Sequence, residues 1–131
     1  MKKITFDTGV EAYKLPGGVL RFNPTDPNVY ARFRQAAESL QQLEQDMAQD
    51  LGGESADLLQ ILERADKAIK QNLRLVFGPD NDFDALVGGV NLLSVTADGK
   101  TVAEQLFAAL EPVLVDGAKR CAQAQAAAMS R

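Results

Sequence analysis

The stretch Phe22-Asn23-Pro24-Thr25-Asp26-Pro27-Asn28-Val29-Tyr30-Ala31-Arg32-Phe33 separates two kinds of sequence, and the fold class turns on how it is read. Asn23-Pro24-Thr25 interrupts regular structure. Asp26 offers a carboxylate to the free N–H groups of a helix start, and Pro27 suits the first helical position, where its missing N–H costs nothing. A long helix is therefore expected to about Leu51. Tyr30, Phe33, Ala37, Leu40, Leu43, Met47 and Leu51 recur in steps of three and four, while Glu38, Gln41, Gln42, Gln45, Asp46 and Gln49 fill the other side. Gly52-Gly53 is expected to end it.

On the N-terminal side of this boundary the spacing changes from helical to alternating. Segments containing Ile4 to Phe6, Val10 to Leu15 and Val19 to Phe22 are separated by Thr8-Gly9 and Pro16-Gly17-Gly18, which predicts a small antiparallel β-meander over residues 1–23. Ile4 with Phe6, Tyr13 with Leu15, and Leu20 with Phe22 share a face at the two-residue period of a sheet covered on one side. The covering layer has to be helical.

On the C-terminal side, Ser55 is placed to cap a second helix carrying Leu58, Ile61, Leu62, Ala65, Ile69, Leu73 and Val76, which ends near Phe77-Gly78-Pro79. Antiparallel packing on the first helix is the economical arrangement. A short helix is expected from about Asp82 to Val87, then an irregular or extended piece from Leu92 to Val95. Asp98-Gly99 makes a turn, and Thr101-Val102-Ala103-Glu104 has capping-box spacing, so the last helix starts there. Val102, Leu106, Phe107, Leu110, Val113 and Leu114 form its buried side, with a kink at Pro112. The fold class is thus α+β: one domain over 1–131, with a helical body over 26–117 and an alanine-rich tail over 118–131 that favours helix but offers little apolar bulk.

A chain of 131 residues supports one sizeable core, and 46% apolar with 24% charged residues is a globular balance. Fourteen Lys and Arg against 18 Asp and Glu leave a net charge of −4, which disfavours a general grip on nucleic acid or anionic lipid. Its most apolar run, Leu86 to Val95, is too short to span a membrane. With the single Cys121 and an opening Met-Lys-Lys-Ile-Thr-Phe that lacks a signal peptide's apolar run, a reducing bacterial cytoplasm is the expected location.

The absence of histidine removes the commonest general base, the usual triads and most zinc sites. Gly53-Glu54-Ser55-Ala56-Asp57 lacks the final glycine of a nucleophile elbow. Asp80, Asp82 and Asp84 alternate like the opening of a calcium loop, but Ala85 and Asn91 stand where glycine and a bidentate glutamate belong. Cys121 has Lys119 and Arg120 beside it but no histidine base or resolving cysteine. Tyr13 and Lys100 remain only as parts of an unusual site. The expectation is a non-enzymatic protein with no cofactor and no metal, acting by binding other chains.

Two surfaces are candidates for that contact. Arg64, Lys67, Lys70 and Arg74 share one face of the second helix, read either as a solvated side, as a dock for an acidic protein, or as a weaker nucleic-acid surface without interleaved aromatics. Apolar helix faces are the other, if any stripe exceeds what the core covers. The candidate contact residues are Tyr30, Phe33, Leu40, Met47, Arg64, Lys67, Lys70, Arg74, Leu92 and Leu93.

The order of segments adds a resemblance. A β segment, the Asp26-Pro27-Asn28-Val29-Tyr30-x-Arg32-Phe33 helix start, a long acidic helix, Val76-Phe77-Gly78-Pro79 with Leu86-Val87-Gly88-Gly89, and a final helix through Phe107 to Leu114 resemble the layout of small tail-assembly chaperones of long-tailed phages and prophages. In that family Phe-Gly is commonly followed by a glycine-containing acidic turn, where this chain has Pro79-Asp80-Asn81-Asp82. The resemblance implies a protein that coats the helical tape-measure protein, keeps it soluble, and is displaced as tail-tube subunits polymerise; self-association is expected beside it. A virion structural protein, such as a minor tail or head-tail joining component, fits the same composition.

Overall fold

The structure, a computed structural model, describes residues 1–50 and 55–130. Its sheet is a hairpin of β1 (Glu11–Leu15) and β2 (Gly18–Phe22), antiparallel, with Tyr13 opposite Leu20 and Glu11 opposite Phe22. Alternation places Leu20 and Phe22 in the core with Tyr13 and Leu15 packed beside them. The turn between the strands is pinned from outside: the Gly17 N–H donates to the Leu86 carbonyl at 2.9 Å. A Cβ on Gly17 would collide with the Ala85 carbonyl, so the approach requires glycine.

The third predicted strand does not form. Ile4 and Phe6 are 88% and 79% exposed. The side chain of Asp7 accepts from the Gly9 N–H at 2.8 Å, and Asn23 Nδ2 donates to the Thr8 carbonyl at 2.9 Å. These bonds give the backbone at Thr8 and Gly9 side-chain partners in place of a ladder, and residues 1–6 lie outside the sheet.

The described residues form four helices: α1 (Pro27–Asp50), α2 (Ser55–Phe77), α3 (Phe83–Leu86) and α4 (Val102–Met129). The start of α1 is as expected, with Asp26 Oδ1 accepting from the Asn28 N–H at 2.9 Å. Gly52-Gly53 and the Ser55 side chain lie outside the described residues. At one end of the α1–α2 pair the Arg32 guanidinium donates to the Val76 carbonyl at 3.1 and 3.2 Å, and further along Leu40 and Leu43 sit by Ala68 and Ile69. Positions ascending in α1 meet positions descending in α2, so the two helices are antiparallel.

Asp82 caps α3 through the N–H groups of Asp84 and Ala85, at 3.1 and 3.4 Å. The piece from Leu92 to Thr101 is held at both ends: Ala103 N–H donates to Leu92 O at 2.8 Å and Val102 N–H to Ser94 O at 3.0 Å, while Val95 bridges Thr101. Thr101 Oγ1 accepts from the Glu104 N–H at 3.1 Å, which is one half of the predicted capping box. From there α4 continues through Pro112 and Gly117 to Met129. Gly117 is a point of contact, not an end: it is buried, and a Cβ there would strike the Pro24 carbonyl. Beyond Arg120 the helix is almost wholly exposed.

A chain of aromatic rings ties the elements together. Tyr13 lies 5.2 Å from Phe22, Phe22 lies 4.8 Å from Phe77, and Phe77 lies 5.5 Å from Phe83 and 6.3 Å from Phe33, which stacks 5.5 Å from Phe107. Each such pair contributes roughly 0.5–1.5 kcal/mol beyond its area burial. The boundary read from Pro24 to Phe33 therefore sits at the junction of sheet, α1 and α4.

Candidate protein-binding groove

The predicted contact residues divide sharply. Phe33, Leu40, Leu92 and Leu93 are buried, with Leu92 wholly inaccessible, so none presents a free apolar surface. Their stripe is the core stripe, because α2 and α4 close over that side of α1. Tyr30 and Met47 are half-buried and pack at the edge of the core.

The basic face is also redistributed. Lys70 is buried, with Nζ 2.6 Å from Asp84 Oδ1, 2.9 Å from Asp66 Oδ2 and 2.9 Å from the Val90 carbonyl. Burial alone would lower its pKa, but the two carboxylates outweigh that and hold it above the ordinary lysine value. Asp66 also accepts from the Leu92 N–H at 2.7 Å, so this cluster clamps the Val90–Leu93 piece onto α2. Lys70 is thus a structural cation. Arg74 Nε donates to the Pro79 carbonyl at 3.0 Å, and Lys67 pairs with Glu63 at 3.2 Å on the surface. Arg64 stays exposed.

The residues weighed for chemistry are engaged locally. Asp82 caps α3, Asp84 neutralises Lys70, and among the described residues no three ligand-type side chains converge for a metal. The Tyr13 hydroxyl donates to Glu11 at 2.9 Å; burial and then that carboxylate raise its pKa. Among the described residues no helix is long and apolar enough to cross a membrane.

A groove that sequence reasoning did not single out runs between α1 and α4. Two adjoining depressions, of about 470 and 300 Å³, share Ala37, Gln41, Phe107 and Glu111. At one end Tyr30 and Arg34 face Leu114 and Val115; at the other Leu40 and Glu44 face Glu104 and Ala108. Buried Phe33, Phe107 and Leu114 close the bottom, and half-buried Tyr30, Ala37 and Val115 supply the accessible apolar lining. The small side chains of Ala37 and Ala108 leave the space open.

The rim is acidic. Glu38, Glu44, Glu104 and Glu111 line the two depressions, against Arg34 as the basic side chain, whose guanidinium lies 6.0 Å from the Tyr30 ring centre. Glu44 Oε1 is shielded from solvent without a hydrogen-bond partner. Burial, and then the charge of Glu104 across the groove, hold the Glu44 carboxyl above its usual range. A cation placed there would relieve both effects. Glu104 and Glu111 stand seven residues apart and so share a side of α4, a spacing legible in the sequence, but nothing in that spacing tells which helix they face.

A larger depression of about 620 Å³ lies between the hairpin and the α1–α2 end. Its main polar groups are already committed: Asn81 to Arg21 and Phe77, Arg32 to Val76, and Asn23 to Thr8 and Thr25. The α1–α4 groove, with apolar lining and an unpartnered carboxylate oxygen, is the better receptor. Comparison with protein-family models, with curated proteins and with solved structures gives no match.

Proposed function

We propose that this protein works without chemistry, as a phage tail-assembly chaperone that holds the tape-measure protein soluble until tail-tube subunits polymerise around it. The α1–α4 groove supports the reading: an apolar lining of Tyr30, Ala37 and Val115, edged by four glutamates, suits an amphipathic helix whose apolar stripe is flanked by Lys or Arg. Such contacts are individually weak. Arrayed along one elongated helical client they gain avidity, and tube subunits can replace them without an energy source. The altered basic face supports the same choice over a nucleic-acid regulator, since Lys70 is withdrawn from it and Arg74 and Lys67 have partners.

The test is co-expression with the longest helical protein encoded beside this gene, followed by size-exclusion chromatography and light scattering. The expected result is a complex that keeps the client soluble and is weakened by Ala37→Glu, which fills the groove from its half-buried wall. No association and no gain in client solubility would overturn the reading. Recovery of the protein from purified virions would favour a structural tail or joining component instead.

A further inference from the structure

Residues 1–7 and the α1–α4 groove are complementary surfaces that the fold leaves apart. Ile4 and Phe6 are among the most exposed large apolar side chains of the described residues, and as alternate residues they share one side wherever the segment docks extended. Lys2 and Lys3 precede them and Asp7 follows. The groove offers the converse order: Glu44 and Glu104 at one end, an apolar lining of Ala37, Tyr30 and Val115, and Arg34 beside Glu38 at the other end.

The lengths also agree. From Glu104 to Val115 the groove follows α4 for about 17 Å at 1.5 Å per residue. When extended, Lys2 to Asp7 spans about the same distance in five steps of about 3.3–3.6 Å. The segment is anchored at Thr8 by Asn23, beside a depression lined by Val29 and Arg32. Counting 100° per residue, Arg32 lies on the opposite side of α1 from Ala37 and Gln41, so the segment starts on the far side of the helix from its own groove.

We propose that residues 1–7 of one copy dock in the α1–α4 groove of a second copy, with Lys2 and Lys3 against Glu44 and Glu104 and with Ile4 and Phe6 against Tyr30, Ala37 and Val115. Donor and acceptor are different surfaces of the same chain, so the contact is head-to-tail and propagates into a ring or an open array. It stands without any client. Where the groove also receives a client helix, the two occupants exclude each other, and client binding then takes this self-association apart.

Sedimentation velocity of the full chain alone tests this. The wild type associates as concentration rises, and raising salt from 0.05 to 0.5 M weakens the association, because the ion pairs at the rim are screened. Ile4→Ser with Phe6→Ser, and separately Glu104→Gln with Glu111→Lys, weaken it about tenfold or more. All four positions are exposed, so melting curves by circular dichroism stay within a few degrees of the wild type. Mixing the two variants is decisive: one keeps an intact groove and the other an intact segment, so the mixture forms pairs and nothing longer. A wild type that is monomeric at every concentration overturns the proposal, as does a mixture that fails to pair or an association indifferent to both variants.

Discussion

Replacing Asn81 with alanine isolates the device that fastens the hairpin to the helices. Asn81 is 5% exposed, and its side chain makes three hydrogen bonds of 2.9 Å: Oδ1 accepts from the Arg21 N–H, and Nδ2 donates to the Arg21 and Phe77 carbonyls. Arg21 lies in β2 and Phe77 is the last residue of α2, so one amide bridges sheet and helix. At roughly 0.5–1.5 kcal/mol for each neutral bond, and with backbone groups left without their partners, Asn81→Ala costs about 2–4 kcal/mol. A domain of this kind has about 5–15 kcal/mol in total, so the variant still folds. Urea denaturation followed by circular dichroism reads the loss as a midpoint lowered by about 1–3 M, for a slope of about 1–3 kcal/mol per molar. Asn81→Asp sharpens the test. It keeps the acceptor for Arg21 N–H but turns the second oxygen toward two carbonyls, so at neutral pH it is no more stable than the alanine variant. Burial and those carbonyls raise the new carboxyl's pKa in the folded state, so the aspartate variant regains stability as pH falls through that raised value. An alanine variant within about 0.5 kcal/mol of wild type, or an aspartate variant more stable than alanine at pH 7, refutes the bridging role.

Gly117→Ala lowers the melting temperature by several degrees in scanning calorimetry. Helix propensity alone would give a gain of about 1 kcal/mol, but the new Cβ meets the Pro24 carbonyl and overpacking of that kind costs about 1–3 kcal/mol, so the sign decides between them. Glu44→Gln raises stability at neutral pH. The folded-state pKa of Glu44 is raised by burial and then by Glu104, so the folded protein binds its proton more tightly than the unfolded chain. The wild type therefore gains stability from this group as pH falls through the raised value, and the gain is complete below the unfolded value. The glutamine variant lacks this slope; equal pH dependence in wild type and variant would contradict the assignment.

The elements with local signals were legible. Asp26-Pro27, Asp82 and Thr101 are short-range chemistry, a side-chain oxygen meeting N–H groups two or three residues on, and each sits at a helix start in the structure. The apolar steps of three and four in α2 and α4 likewise mark the faces that become the core. Residues 1–6 failed for a physical reason: alternation shows that a segment can be a strand, but a strand needs a neighbour, and Asp7 and Asn23 divert the backbone first. The burial of Lys70 within the basic face was hidden for a similar reason. Four cations at helical spacing look alike in sequence, and only the long-range approach of Asp84, fourteen residues away, makes Lys70 internal.

The same limit applies to the apolar contact residues read from α1. A stripe of Tyr30, Phe33, Leu40 and Met47 reports how much apolar surface α1 carries, not how much of it its neighbours cover. That depends on the opposing side chains. Phe107 fills the space over Phe33, whereas Ala108 opposite Ala37 leaves it open, and the resulting gap is a groove rather than a packed seam. Glutamates are the residues that can border such a gap without closing it, because closing it would desolvate them, as the shielded oxygen of Glu44 shows. The groove is therefore kept open by small residues and kept wet by acidic ones, and what enters it must bring both an apolar surface and a positive charge.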